Sequence, residues 1–139
     1  MEYDNIIETL LFRFPELRND YEENKDYLEG LPYGVYEDIF MHYVVKMCKD
    51  TNTDKLKEIS IFLEEMAQSE DDLVNNLFGV AIIESLYYDQ DTLKILKPYL
   101  KEKTLKELNH TDMCFKNDKK LTSKELFDLE LEYLKTKNL

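Results

Sequence analysis

Two histidines and two cysteines are the side chains of this 139-residue chain best suited to near-neutral acid–base or nucleophilic chemistry. His42 and Cys48 lie six residues apart in a segment predicted to be helical, so they point about 240° away from each other. The sequence also has no Gly-rich phosphate loop, nucleophile elbow, His-Glu-x-x-His motif or Cys-x-x-Cys motif. These residue types and spacings predict no catalytic residues, and we expect a protein that is not an enzyme.

Two segments have some of the side chains of a metal site. His110, Asp112 and Cys114 alternate in a polar stretch and offer three zinc ligands, but no fourth ligand lies nearby in the sequence. Residues 50–54 match the start of a calcium-binding loop, whereas the position of its bidentate Glu ligand holds Ile61. Neither pattern is complete, and we therefore expect no metal and no cofactor.

Tyrosines interleaved with carboxylates form the most distinctive chemical pattern of the chain. The sequence has ten Tyr and no Trp, and Tyr provides both contact area and a hydrogen-bonding group at protein interfaces. The pattern predicts a partner-binding surface. Its members are Asp20, Tyr21, Glu22, Glu23, Asp26, Tyr27, Glu29, Tyr33, Tyr36, Glu37 and Asp38. The alternative interpretation is a solvated acidic face whose tyrosine rings pack inward.

The charge distribution indicates what such a surface would bind. The formal net charge is −12, which disfavours nucleic acid and anionic membranes as partners and favours a basic protein. Residues 1–40 have eleven acidic and three basic side chains, whereas residues 91–139 have nine acidic side chains and eleven lysines. The acidic field is therefore concentrated in the N-terminal part of the sequence.

Helical periodicity indicates the elements that must position these residues. Three Gly and three Pro are too few for the turns of a β-sandwich or barrel, and apolar residues recur at three- and four-residue steps. We predict one all-α domain over residues 1–139, with about six to eight helices in a compact antiparallel array. A HEAT-like stack and a compact bundle both remain open, because segments 33–68 and 70–108 are similar helix pairs without a shared residue pattern.

The segment near residues 70–87 is predicted to be the central helix. Its apolar side chains cover most of its circumference, and Gly79 within it suggests close approach of a neighbouring helix. Residues 109–121 have no apolar period and predict a polar loop. Thr122 and the following residues predict a C-terminal helix near 123–136.

Short polar side chains and glycine predict where several helices begin and end. Gly30 is placed to end a helix, because glycine adopts the left-handed conformation common at helix C-termini. Thr53 and Asp91 are predicted N-caps, and Ser69 and Asp72 have the spacing of a capping box.

The cellular compartment is also constrained by the sequence. Residues 1–4 are acidic where a signal peptide would be basic, and the longest apolar run, residues 77–83, is too short to cross a bilayer. Two cysteines form no disulfide framework and are typical of a reducing compartment. We expect a cytoplasmic protein with no membrane partner.

About half of the chain resembles a group of small, acidic, all-helical bacterial proteins that are similar to immunity proteins of polymorphic toxin systems. The resembling segments are Leu31-Pro32-Tyr33, Asn76-Leu77-Phe78, Glu84-Ser85-Leu86 and Leu96-Lys97-Pro98-Tyr99-Leu100. The resemblance implies a cytoplasmic protein that binds and blocks a cognate toxin, often a basic nuclease. It assigns no functional residue, because immunity surfaces differ with the toxin they meet.

Two functions follow as competing hypotheses. The first is an immunity-type inhibitor that binds a basic toxin or nuclease domain through the acidic, Tyr-containing surface. The alternative is a helical scaffold or adaptor that binds a peptide or protein in an apolar groove, with the acidity serving solubility. The first predicts binding that weakens with salt, and the second predicts binding that changes little with salt.

Overall fold

The structure is a computed structural model that describes the backbone of residues 1–118 and 123–137. Side chains are described for residues 1–114, 127–128 and 130–135. Within the described backbone the chain forms nine helices and no strand, which confirms the predicted all-α class.

The helices follow one another with short connections. The first three are α1 (Ile6–Arg13), α2 (Arg18–Glu23) and α3 (Lys25–Leu28). Helix α4 runs continuously through Pro32–Gly34, Val35–Phe40 and Met41–Lys49, and α5 is Thr53–Ala67. Helix α6 runs through Asp72–Leu77, Phe78–Ile83 and Glu84–Tyr88, and is followed by α7 (Gln90–Leu96), α8 (Glu102–Asp118) and α9 (Ser123–Lys137). Single 3₁₀ turns occupy Tyr3–Asn5, Pro15–Leu17 and Lys97–Tyr99.

Helix α4 widens into a π-helical segment near its start, and helix α6 widens into one at mid-length. These segments, Val35–Phe40 and Phe78–Ile83, contact each other. A π segment inserts an extra residue into the turn and changes the direction of the side chains that follow. The two widened segments therefore set the relative placement of α4 and α6.

An aromatic cluster joins α1, α4 and α5. Phe14, Phe40 and Phe62 are completely buried, and each pair of their ring centroids is 5.5–5.7 Å apart. Tyr36 adds a fourth ring 5.7 Å from Phe40, and its hydroxyl donates a hydrogen bond of 2.9 Å to the carbonyl oxygen of Ile6. The Tyr36 hydroxyl is thus hydrogen-bonded within the protein, and the buried cluster excludes water.

The helix end predicted at Gly30 is confirmed, whereas three predicted helix starts differ from those in the structure. Gly30 has a φ of +73° and follows α3, as predicted. The side chains that cap α5, α6 and α7 are Asn52, Asp71 and Asp89, which accept from backbone N–H groups at 3.2, 2.9 and 3.2 Å. The expected caps at Thr53 and Asp91 are therefore wrong by one and two residues.

Ser69 lacks the bond from the Asp72 N–H that a capping box requires, and its Oγ accepts a 3.2 Å hydrogen bond from the Asp71 N–H instead. Its hydroxyl donates a 2.6 Å hydrogen bond to the carbonyl oxygen of Met1, and Asp71 accepts a 2.9 Å bond from the Tyr3 N–H. Both residues therefore attach the N-terminal segment to the start of α6, and the capping-box interpretation of Ser69 is wrong.

Helix α6 is largely buried, but not on all sides. Between Leu73 and Leu86 this helix has nine apolar side chains. Seven of them are buried: Val74, Leu77, Phe78, Ala81, Ile82, Ile83 and Leu86. Leu73 and Val80 are 57% and 38% exposed. Helix α5 buries eight residues, so the two helices share the core.

Gly34, and not Gly79, is the glycine that a neighbouring side chain approaches closely. A Cβ atom at Gly34 would lie 2.7 Å from Cδ2 of the buried Leu28, whereas a Cβ atom at Gly79 would meet nothing within 4 Å. The close approach predicted at Gly79 is therefore wrong, and the contact that requires glycine lies where α3 packs on α4.

The predicted polar loop over residues 109–121 is wrong for its first ten residues. Helix α8 continues to Asp118, and residues 119–122 lie outside the described part of the chain. Apolar periodicity ends after Leu108 because residues 109–114 of α8 are exposed or only partly buried, and such a helix segment needs no apolar stripe. The final helix, expected near 123–136, is Ser123–Lys137.

A buried carboxylate on α5 holds the N-terminus of α8. Glu64 is 8% exposed and accepts hydrogen bonds from the N–H and hydroxyl groups of Thr104 at 2.9 and 3.0 Å. It also accepts from the Lys103 N–H at 3.1 Å and from Gln68 Nε2 at 3.3 Å. Burial by itself raises the pKa of Glu64, but these hydrogen bonds outweigh burial and hold the pKa below the usual Glu value.

Replacement of this carboxylate has a predictable, pH-dependent cost. Glu64→Gln keeps the shape but removes the charge, so we expect a loss of about 1–3 kcal/mol in the free energy of unfolding at pH 7. Because the folded pKa is depressed, the stabilisation is present above pH 4.5, the usual Glu value, and is lost as the pH falls through the folded pKa. Urea denaturation from pH 7 to pH 3 should therefore show the wild-type and variant stabilities converging.

Glu65→Gln is the matched control for Glu64→Gln. Glu65 is the next residue on α5 and pairs with Arg13 at 2.5 Å, with both side chains about 40% exposed. A surface ion pair of this kind contributes about 0–1 kcal/mol, so the control should lose less than Glu64→Gln. Equal stability of wild type and Glu64→Gln at pH 7 would contradict the capping role.

The two helical glycines provide a second, paired prediction. Gly79→Ala should raise the free energy of unfolding by about 1 kcal/mol, because alanine has the higher helix propensity and its Cβ meets no neighbour. Gly34→Ala should lower it by about 1–3 kcal/mol, because Leu28 must move within the core. Thermal denaturation of both variants checks the difference, and a Gly34→Ala protein as stable as Gly79→Ala would contradict the packing.

Candidate protein-binding site

A groove of about 550 Å³ lies between α2, α4 and the start of α5. We call it the α2–α4 groove. The residues that matter most for its chemistry are Asp20 of α2 and Asp38, Ile39, His42, Tyr43 and Lys46 of α4. Asp38, His42 and Lys46 follow one another at four-residue steps, so they lie along one face of the helix.

Apolar side chains from two elements form the floor of the groove. Leu17, Ile39 and Met47 line it and are only 2%, 5% and 9% exposed. Leu17 ends the 3₁₀ turn that Pro15 begins, and this turn carries the chain from α1 into α2. The groove therefore combines a dry floor with charged side chains on its rim.

One end of the groove contains a compact hydrogen-bonded network. The Tyr43 hydroxyl donates to Glu16 Oε2, and Lys55 Nζ lies 2.9 Å from the same oxygen. Lys55 Nζ also lies 3.2 Å from Glu58 Oε2, so two carboxylates compensate this lysine. The positive charge of Lys55 is thereby cancelled within the fold.

The network shifts the pKa values of its members in consistent directions. Burial acts to raise the pKa of Glu16, but hydrogen bonds from Tyr43 and Lys55 lower it below the usual Glu value. Hydrogen bonds to the carboxylates of Glu16 and Glu58 raise the pKa of Lys55. Burial, followed by the hydrogen bond to Glu16, raises the pKa of the Tyr43 phenol. All three groups therefore keep their ordinary charge states at neutral pH.

The structure exposes most, but not all, of the predicted surface. Eight of the eleven residues are exposed: Asp20, Glu22, Glu23, Asp26, Tyr27, Glu29, Glu37 and Asp38. Tyr33 is half-buried, and its hydroxyl accepts a hydrogen bond from Asn76. Asp20 and Asp38 both line the α2–α4 groove, although eighteen positions separate them in the sequence.

Tyr21 and Tyr36 were predicted as surface residues, and this prediction is wrong. Tyr21 is 7% exposed, because it faces inward from α2, four residues after the buried Leu17 of the preceding 3₁₀ turn. Tyr36 is completely buried and uses its hydroxyl to bind the Ile6 carbonyl. Neither ring can contact a partner from the folded surface.

Several groove residues were missed by the sequence analysis. His42 was considered only as a catalytic group, and its four-residue spacing from Asp38 and Lys46 is the signal that could have placed it on a groove face. Glu16 and Lys55 are thirty-nine positions apart, and no local sequence pattern predicts their ion pair.

The candidate zinc ligands do not converge. Residues 110–114 are helical, which places His110 and Cys114 on one side, with Cys114 Sγ 3.7 Å from His110 Nε2. Asp112 lies two positions from each and therefore about 200° around the helix. Among the residues with described positions, no group of three or more metal-ligating side chains occurs. In the same part of the chain, no helix is both long and apolar enough to cross a membrane.

Fold and site together define an acidic, all-helical protein with a charged groove on its N-terminal half. Residues 7–128 match a family model described as a domain of unknown function, DUF7674. This match covers most of the chain, which therefore belongs to the DUF7674 family. No curated protein matches the chain, and no solved structure matches it.

Proposed function

We propose that the chain is a non-catalytic protein-binding module that captures a basic protein through the exposed acidic surface of α2, α3 and α4. The observation that carries the proposal is the exposure of eight acidic or tyrosine residues over residues 20–38, of which two line a groove. Clustered carboxylates steer a basic partner and raise its association rate.

The three basic side chains of residues 1–40 neutralise only a small part of this surface. Arg13 lies 2.5 Å from Glu65, Arg18 lies 3.5 Å from Glu8, and Lys25 lies 3.9 Å from Glu22. Each of the three basic side chains in residues 1–40 is thus already close to a carboxylate, and the remaining acids leave a net negative field.

The proposed role is that of an immunity-type inhibitor. The resemblance to toxin-immunity proteins supports a basic toxin or nuclease domain as the partner and a cytoplasmic location. Inhibition by this route needs no catalytic group, because a stoichiometric complex blocks access to the toxin. The small size and negative charge of the chain suit this role.

A HEAT-like arrangement with the 70–87 segment at its centre belongs to the same proposal. Helix α6 contacts α4, α5, α7 and α8, which supports a central position. Stacked helix pairs present extended surfaces to protein partners, so this architecture suits a binding module.

A specific observation also favours an adaptor function, although it points to an exposed apolar helix face and not to the apolar groove expected from the sequence. On α9, Phe127, Leu131 and Leu134 are 59%, 41% and 48% exposed and lie at helical spacing on one side. An amphipathic helix with an exposed apolar stripe is a means of docking onto an apolar surface. In this second function the partner contacts α9, and salt has little effect on binding.

Salt-dependent kinetics separate the two functions. The partner is obtained as the basic product of the adjacent reading frame or by capture from native lysate, and its association is measured by stopped flow. Neutralisation by Glu22→Gln, Glu23→Gln and Asp26→Asn together should slow association about threefold to tenfold in low salt and flatten the salt dependence. The dissociation rate should change less, because these carboxylates are exposed.

The matched control removes the same number of charges from another part of the chain. Asp91, Glu102 and Glu107 are exposed acids within the lysine-rich segment, and Asp91→Asn, Glu102→Gln and Glu107→Gln should leave the association rate nearly unchanged. Equal slowing by both triple variants would show a general charge effect and contradict the assignment to α2 and α3.

A further inference from the structure

We propose that the α2–α4 groove receives an arginine side chain of the basic partner at Asp20 and Asp38. The inference rests on the proposed function and adds the chemistry of the group that the site recognises. It is carried by the combination, in one groove, of two exposed carboxylates, a buried apolar floor and a neutralised lysine.

The two carboxylates reach the groove from different elements. Asp20 belongs to α2, and Asp38 belongs to the π segment of α4, which contacts α2. Among residues with described side chains, neither carboxylate lies within 4 Å of a basic group. Within the part of the chain whose side chains are described, Asp20 and Asp38 therefore form no ion pair.

Neither of the two lysines that line the groove lies within 4 Å of the carboxylates of Asp20 and Asp38. Lys55 is engaged by Glu16 and Glu58. Lys46 is eight residues after Asp38 on α4, which corresponds to about 12 Å along the helix axis. A cation from outside is thus the group that complements Asp20 and Asp38.

The floor selects the kind of cation. Leu17 and Ile39, which lie close in sequence to Asp20 and Asp38, offer a buried apolar surface for the methylene stem of a long side chain. A guanidinium is planar, weakly hydrated and able to donate to two acceptors at once, whereas an ammonium is compact and strongly hydrated. Two carboxylates on separate elements above an apolar floor therefore favour arginine over lysine.

Tyr43 makes the groove rigid without competing for the ligand. Its hydroxyl is committed to Glu16, and its ring lies 5.8 Å from the ring of the buried Phe14. The wall beside the floor is thereby fixed by the aromatic core, so the site is largely formed before a partner arrives.

A peptide titration followed by two-dimensional NMR tests the inference without the natural partner. The probe is acetyl-Gly-Arg-Gly-amide in low salt at pH 7, with the corresponding citrulline and lysine peptides as controls. We expect saturable shifts at the amides of Asp20, Asp38 and Ile39 with the arginine peptide, weaker binding of the lysine peptide, and no binding of the citrulline peptide. Asp20→Asn with Asp38→Asn should weaken arginine binding about tenfold.

The control variant Asp91→Asn with Glu107→Gln removes two exposed charges outside the groove and should bind the arginine peptide like wild type. Thermal denaturation verifies that both variants fold. Equal binding of the citrulline or lysine peptide, or no groove shifts with the arginine peptide, would overturn the inference. If the groove fails this test while the Glu22, Glu23 and Asp26 triple variant still slows the natural partner, the proposed function stands and the arginine site alone is wrong.

Discussion

The buried contact between the Phe14, Phe40 and Phe62 rings is the interaction on which the rest of the N-terminal half depends. It joins α1, α4 and α5, and Tyr36 closes it by hydrogen bonding to the Ile6 carbonyl. Because Phe14 is fixed at the end of α1, the turn that follows must carry α2 along the π segment of α4. The α2–α4 groove is the space left between those elements, so its position is a consequence of core packing.

Carboxylates have two opposite uses in this fold. Glu64 is buried and ionised, because Thr104, Lys103 and Gln68 replace its lost hydration with hydrogen bonds, and it thereby attaches α8 to α5. The acids of α2 and α3 are exposed and contribute little to the stability of the fold. Their concentration in one segment raises the electrostatic repulsion between them. The proposed electrostatic role toward a partner would account for that concentration.

The sequence predicted what depends on local periodicity and missed what depends on tertiary contact. The all-α class and the end of a helix at Gly30 follow from spacing and from backbone conformation, and the structure has both. An amphipathic tyrosine fits a surface and a core equally well. The burial of Tyr36 depends on a hydrogen bond to the carbonyl of Ile6, thirty residues away, which local spacing does not predict. The continuation of α8 was missed because a solvated helix has no apolar period, and the groove was missed because Glu16 and Lys55 meet only through the fold.

The central claim is that the acidic surface of α2, α3 and the π segment of α4 is the face that meets the partner. Hydrogen–deuterium exchange of the free chain and of its complex with the basic partner tests it most directly. The account predicts slower exchange over residues 18–40 in the complex, with residues 123–137 unchanged. Protection confined to residues 123–137, with residues 18–40 exchanging as in the free chain, would contradict it and place the interface on the apolar stripe of α9.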